Sequence, residues 1–221
     1  METDDDHIVN SNRDYTSVSV EDEDQIFANS IDGKLVTAVS PLSGKCCIFR
    51  VPVVLRRLNE KVYEPDIVAI GPYHSNKESL KPMEDVKKWY LKTLLLRTKM
   101  IMVSLIKGIM GFKTRARECY EEPIDVDDLN DEFMEIMIID GCFLIELFRK
   151  EAGPFLRSTD DPIFSLACKR QYIEHDLLLL ENQLPWFILQ NLFNLTLRND
   201  RRNVSLIKLV LDFFLYLSLF W

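Results

Sequence analysis

Residues 175–193, "HDLLLLENQLPWFILQNLF", are apolar nearly throughout, yet Glu181, Asn182 and Gln183 sit in the middle with Pro185 just behind. A run this apolar belongs inside a core, where backbone donors and acceptors must all find partners. Proline is disfavoured inside a helix but suits the first turn of a new one, where its missing N–H would be unsatisfied anyway. The stretch therefore demands two helices meeting in a buried interior, around residues 170–180 and 185–197. The polar triplet falls at their seam, where helix ends leave several N–H and C=O groups in need of partners. Glu181 and Asn182 are expected to hydrogen-bond across it.

The rest of the chain reads as helix with one exception. "SLKPMEDVKKWYLKTLLLRTKMIMVSLIKGIMG" offers Ser79 as a cap, Pro82 in a first turn, Glu84 and Asp85 near the positive end of the dipole, and Gly111 at the exit. Met83, Val86, Tyr90 and Leu94 keep helical spacing, so a long helix over about residues 82–110 is predicted. A second helix, over about residues 131–150, carries a broad apolar face interrupted by Asp140-Gly141. That pair marks either a close helix contact or a proton-transfer group with a raised pKa. The exception is the segment before them. Residues 48–51 and 67–70 are short β-branched runs closed by Pro52 and Pro72, which reads as a small β element over about residues 48–70, with a short helix at 53–58 between the two runs. The fold class is mainly α with that element near the N-terminus.

Charge separates a tail from a body. Residues 1–30 hold nine Asp/Glu against a single Arg, leaving 26 acids and 26 bases elsewhere. The acidic head, with few apolar anchors, reads as a solvated, disordered tail. The balanced body lacks the basic stripe that nucleic-acid binding requires. Five cysteines, odd in number and without a C-x-x-C pair, fit reduced thiols, so no disulfide is expected. No basic-then-apolar signal segment opens the chain, and the sequons at Asn194 and Asn203 are read as silent. The final run "NVSLIKLVLDFFLYLSLFW" carries Lys208 and Asp212, each of which costs roughly 3 kcal/mol at mid-bilayer. It reads as an amphipathic helix with a polar stripe of Ser205, Lys208 and Asp212, not as a membrane span. Its apolar end, without a cap or polar exit, gives the expectation of a truncated helical domain whose residues 204–221 make peripheral membrane contact.

Nothing in the residues composes a reaction. The stretch "IDVDDLNDEF" imitates a calcium loop, but counting from Asp125 puts Asn130 and Ile136 where glycine and a bidentate glutamate belong, so it reads as a helix approach capped by Asn130 or Asp131. The histidines, His7, His74 and His175, form no metal-ligand spacing, and His175-Asp176 alone cannot orient a catalytic imidazole. There is no nucleophile elbow and no glycine-rich phosphate loop. Catalytic, cofactor-binding and metal-ligating residues are each assigned as none.

The motifs in order carry a likeness. They run Ile48-Phe49-Arg50-Val51-Pro52, Tyr63-x-Pro65, Val68-Ala69-Ile70-Gly71-Pro72-Tyr73-His74, Leu80-x-Pro82-Met83-Glu84, Asp140-Gly141-Cys142-Phe143 and Asp161-Pro162-Ile163-Phe164. Last comes the stretch from Asp176 through Glu181, Asn182, Gln183 and Pro185 to Phe187. Over about residues 46–215 this resembles the plant-specific family called domain of unknown function 247, also the uncharacterised protein family 0481. After His74 the chain departs from the family's pattern, with Ser75-Asn76-Lys77 in place of a second His or an Arg followed by Gly.

The domain organisation expected is then the composition-based disordered tail over residues 1–30 and, as the resemblance implies, the N-terminal part of one helical domain over residues 46–221. The resemblance also implies a plant protein of a membrane-associated recognition and signalling family, on the cytoplasmic side, with a protein partner and no family catalytic residue to carry over. The motif residues are then structural. Two functions compete: a non-catalytic interaction module, and a hydrolase- or transferase-like enzyme using Glu181 or Asp140 as acid/base. A filled helix seam favours the first; a pocket holding either carboxylate beside His74 or His175 favours the second.

Overall fold

The computed structural model describes residues 20–36, 45–122, 124, 132–197 and 204–215. The calcium-loop mimic with its cap candidates, the tail up to residue 19 and the last six residues lie outside these. The chain separates into two compact units, Met1–Pro41 and Leu42–Trp221. Within the first, helix α1 spans Val20–Val36, so part of the acidic head read as tail is helical. Lys34 in its last turn suits the helix dipole.

The second unit is built from helices α2 (Val53–Arg56), α3 (Lys81–Thr98), α4 (Met102–Ile109), α5 (Lys113–Arg117), α6 (Glu132–Ala152), α7 (Ala167–Asp176), α8 (Trp186–Thr196) and α9 (Leu206–Leu215). Helix α6 is the axis, packed against α3, α8 and α9, and α4 lies on α8. Its apolar face is wide because neighbours approach from several sides; Phe133, Met137, Phe143, Ile145 and Leu147 are all buried. Gly141 makes room for α8, since a Cβ there would sit 2.5 Å from Leu192 Cδ1 and the leucine tip would have to move. Helix α9 buries Leu206, Leu209 and Phe213, the last edge-to-face on Phe148 at 5.1 Å. Ser205 Oγ caps it by accepting the Lys208 N–H, and Lys208 pairs with Asp212 on its outer side. Among the described residues no helix is long and apolar enough to cross a membrane.

Two expectations need correction. The single helix over 82–110 is broken at Lys99, which adopts a left-handed conformation (φ 55°). Its N–H and that of Met100 both return to Leu95 O, which caps α3 and redirects the chain into α4. The small β element is not a sheet either. Among the described residues there is no strand, only an isolated parallel bridge between Ile48 and Tyr120. Residues 67–70 are buried or half-buried and non-helical, but the Ile67, Val68 and Ile70 amides are held by side chains rather than by a neighbouring strand.

Candidate functional site

Those side chains come from the seam. Both Asp176 oxygens face the segment 66–68: Oδ1 accepts the Asp66 N–H, and Oδ2 the Ile67 and Val68 N–H groups, all at 2.8 Å. Asn182 continues the row, accepting Ile70 N–H at 2.6 Å while its amide donates to Val68 O and Asp176 O at 2.9 Å. Gln183 donates to Leu177 O and Leu179 O, closing the end of the upstream helix. Pro185 stands just before α8, and its carbonyl accepts the Ile188 N–H at 2.9 Å. Next comes Gly71, whose N–H donates to Asp140 Oδ2 at 2.9 Å. Gly71 has φ +76°, and a Cβ there would run into Gln183 O, so only glycine fits. The seam thus serves as the missing strand.

Glu181 organises the other end. Its Oε1 accepts the Val51 N–H at 2.7 Å, while Oε2 takes Arg56 at 2.5 Å and Arg50 at 3.1 Å. Burial pushes its carboxyl up, but Arg56, the Val51 amide and Arg50 outweigh that and hold it below the usual range. Arg50 also bonds Glu122 and lies 3.7 Å over the Tyr73 ring. Pro52 O starts α2 by accepting the Leu55 N–H, and Pro72 O accepts Ser75 Oγ.

His74 is buried with Nε2 3.4 Å from Glu181 Oε2, and neither ring nitrogen has a hydrogen-bond partner. Burial and then Lys77 depress its pKa from 6.5 to about 4. An unfolded chain therefore takes up this proton at a higher pH than the fold does. The stability it contributes is whole above pH 6.5 and lost as pH falls through about 4, a change on the order of 3 kcal/mol. Urea unfolding from pH 7 to 4 should show a shallower loss in His74→Leu than in the wild type. Parallel profiles would mean that His74 titrates normally.

Between α3 and α6 run three polar contacts. Lys87 bonds Asp140 Oδ1 at 2.5 Å and Ala69 O at 2.8 Å, with Glu84 at 2.6 Å on its outer side. Asp161 receives Lys150 at 2.7 Å and Tyr90 Oη at 2.8 Å, and it also accepts the Ile163 N–H. Arg97 pairs with Glu146 at 2.7 Å. Burial, against the opposing pull of Lys87, raises Asp140 to about 6. Met83 and Phe143 are core, Phe143 against Tyr90 at 5.2 Å. Burial pushes the Cys142 thiol up to about 12, leaving it a protonated packing group.

The structure thus brings the motif residues into one polar lattice around the 48–74 segment, with Asp161 in a second knot beside it. Asp140 and Glu181 are the groups acid–base chemistry would use, but the oxygens of each hold cations and a backbone amide. Cavities of about 220, 480 and 110 Å³ are lined by other residues; the smallest touches Asn182 and Gln183 and is otherwise largely apolar. Asp66, His175 and Asp176 place one metal-ligand atom each within 4.8 Å of one another, yet the Asp176 oxygens are the acceptors of the three amides. Sequence reasoning missed Arg56, Lys87, Glu146 and Lys150, and read Tyr90 only as part of the apolar stripe of its helix. The signal for Lys87 was present: it lies four residues after Met83 and three before Tyr90, on the core face of α3.

The family described as plant protein of unknown function, DUF247, matches residues 48–220. A UPF0481 protein of Arabidopsis thaliana is 37% identical over 151 residues, covering 67% of this chain and 31% of the relative. A second UPF0481 protein of the same plant is 27% identical over 165 residues, covering 74% of this chain and 30% of the relative. The chain thus spans only 31% and 30% of the lengths of these relatives. No solved structure matches.

Proposed function

The chain belongs to the DUF247 family of plant proteins, and from that premise we propose that it is a non-catalytic interaction module whose partner lays an amphipathic helix into the groove between α3, α4 and α6. The observation that carries this is the contrast between two places. The ionisable seam is filled, with its carboxylates holding backbone amides and buried cations. The groove of about 480 Å³ is open and apolar. Met102, Ile106 and Met110 line it at four-residue intervals, with Met134 from α6 at its floor, a spacing and a flexible chemistry suited to an incoming helix. Lys88 and Glu135 put one charge of each sign on the lining, complementing a partner whose apolar stripe is flanked by both signs. The recognition and signalling role implied by the family resemblance supports the same assignment, at the cytoplasmic side of a membrane.

Selection of a random peptide display library on the folded chain tests it. The expected winners share apolar residues at three- and four-residue spacing, and Ile106→Glu weakens them at least about tenfold. Ile106 is 37% exposed, and an unchanged thermal melt of the variant separates lost binding from lost fold. Winners without helical periodicity, or binding unaffected by Ile106→Glu, would reject the groove. The enzyme alternative, with Glu181 or Asp140 as acid/base, requires a substrate to displace the Arg56 or Lys87 contact.

A further inference from the structure

We infer that Cys47 and Cys119 form a redox pair, a reversible disulfide site that locks the strap of residues 45–51 onto the end of α5. In sequence the two are far apart and match no disulfide framework. The fold places them side by side. The Cys47 and Ile48 N–H groups both donate to Cys119 O at 2.9 Å, and the Glu121 N–H returns to Ile48 O at 3.1 Å. These bonds flank the parallel bridge of Ile48 with Tyr120. Bridged backbones lie about 4.8 Å apart, inside the roughly 4.4–6.8 Å of Cα separation that a disulfide spans. The backbone of the strap thus sets Cys47 directly beside Cys119.

Exposure differs in the way such a pair needs. Cys47 is exposed and Cys119 is buried, with its thiol donating to Arg115 O at 3.4 Å. Burial pushes Cys119 up to about 11, so it waits as a protonated thiol. Cys47 is the residue an oxidant meets first. With a low-molecular-weight disulfide, the Cys47 thiolate attacks one sulfur, a mixed disulfide forms and the first small thiol leaves. Cys119 then gives up its proton, its thiolate attacks the Cys47 sulfur, and the second small thiolate leaves and takes up the proton. Two protein thiols are oxidised and one small disulfide is reduced to two thiols.

The consequence lies in what the strap carries. It delivers the Val51 N–H and Arg50 to Glu181, and Lys45 to Glu118 at 2.8 Å. Oxidation pins that strap covalently; reduction leaves it held by hydrogen bonds and ion pairs alone. The pairing stands independently of the groove, which lies on other residues.

The test uses the whole chain with glutathione disulfide as the oxidant. Trypsin leaves Cys46 and Cys47 on one short peptide, so Cys46→Ser provides the assignment. In that variant the expected result is a cross-link from Cys47 to Cys119, loss of two maleimide-reactive thiols and a higher Tm that dithiothreitol reverses. Cys47→Ser, a change at an exposed position, should show neither the cross-link to Cys119 nor the rise in Tm. A stable glutathione adduct on Cys47 with Cys119 still reduced would overturn the pairing. So would a cross-link that survives Cys47→Ser.

Discussion

Asp176→Ala is expected to lower the unfolding free energy by about 5 kcal/mol, and Asp176→Asn by about 3, as read by urea titration. Alanine leaves the amides of residues 66–68 without an acceptor, and Val68 is fully buried, so water does not replace the loss there. Asparagine retains one oxygen and presents an NH₂ group to at least one of the same N–H donors. The order of the two variants also follows from charge. Burial, opposed by the three amides, holds the Asp176 carboxyl above its usual range, so the geometry of two acceptors matters more than the negative charge. The amides of residues 66–68 should lose their exchange protection first. An alanine variant within about 1 kcal/mol of the wild type would mean that the 66–70 segment is held by apolar packing alone.

How far this arrangement was legible depends on the distance between partners. The seam itself could be placed because a polar triplet and Pro185 interrupt an apolar run, a local signal. Its targets could not, because Glu181 reaches the Val51 amide across 130 residues and Asp176 reaches Asp66 across 110. The β-branched run around Val68 and Ile70 correctly announced buried, non-helical backbone, but the same pattern is satisfied by a strand or by carboxylates standing in for one. The break at Lys99 had no glycine or proline to announce it, and lysine rarely takes a left-handed conformation. The Cys47 and Cys119 pair was invisible for the same reason as the Glu181 contacts: chain separation hides what the tertiary fold juxtaposes. The interior lysines were legible in principle, since Lys87 and Lys150 occupy apolar-face positions of their helices. A reader of periodicity alone passes over them because lysine so seldom lies in a core.

Those lysines lead to the second large effect. Lys87→Met is expected to destabilise the chain by about 4 kcal/mol, because Asp140 then remains buried without its cation and Ala69 O without its donor. The loss should depend on pH in a direction set by Asp140. Its pKa is raised in the fold from 3.8 to about 6, so the associated stability is whole below pH 3.8 and lost as pH rises through 6. Removing Lys87 takes away the main opposing pull, raises the carboxyl further and enlarges the loss above pH 6. The variant should therefore lie closer to the wild type at pH 5 than at pH 8. Adding Asp140→Asn to Lys87→Met eliminates the stranded charge while keeping an oxygen for the Gly71 N–H. The double variant should recover at least about 2 kcal/mol relative to the sum of the single losses, a coupling expected of groups in direct contact. Simple additivity across the cycle would show that Asp140 reaches water once Lys87 is gone, and that the α3–α6 interface tolerates solvent where the native packing excludes it.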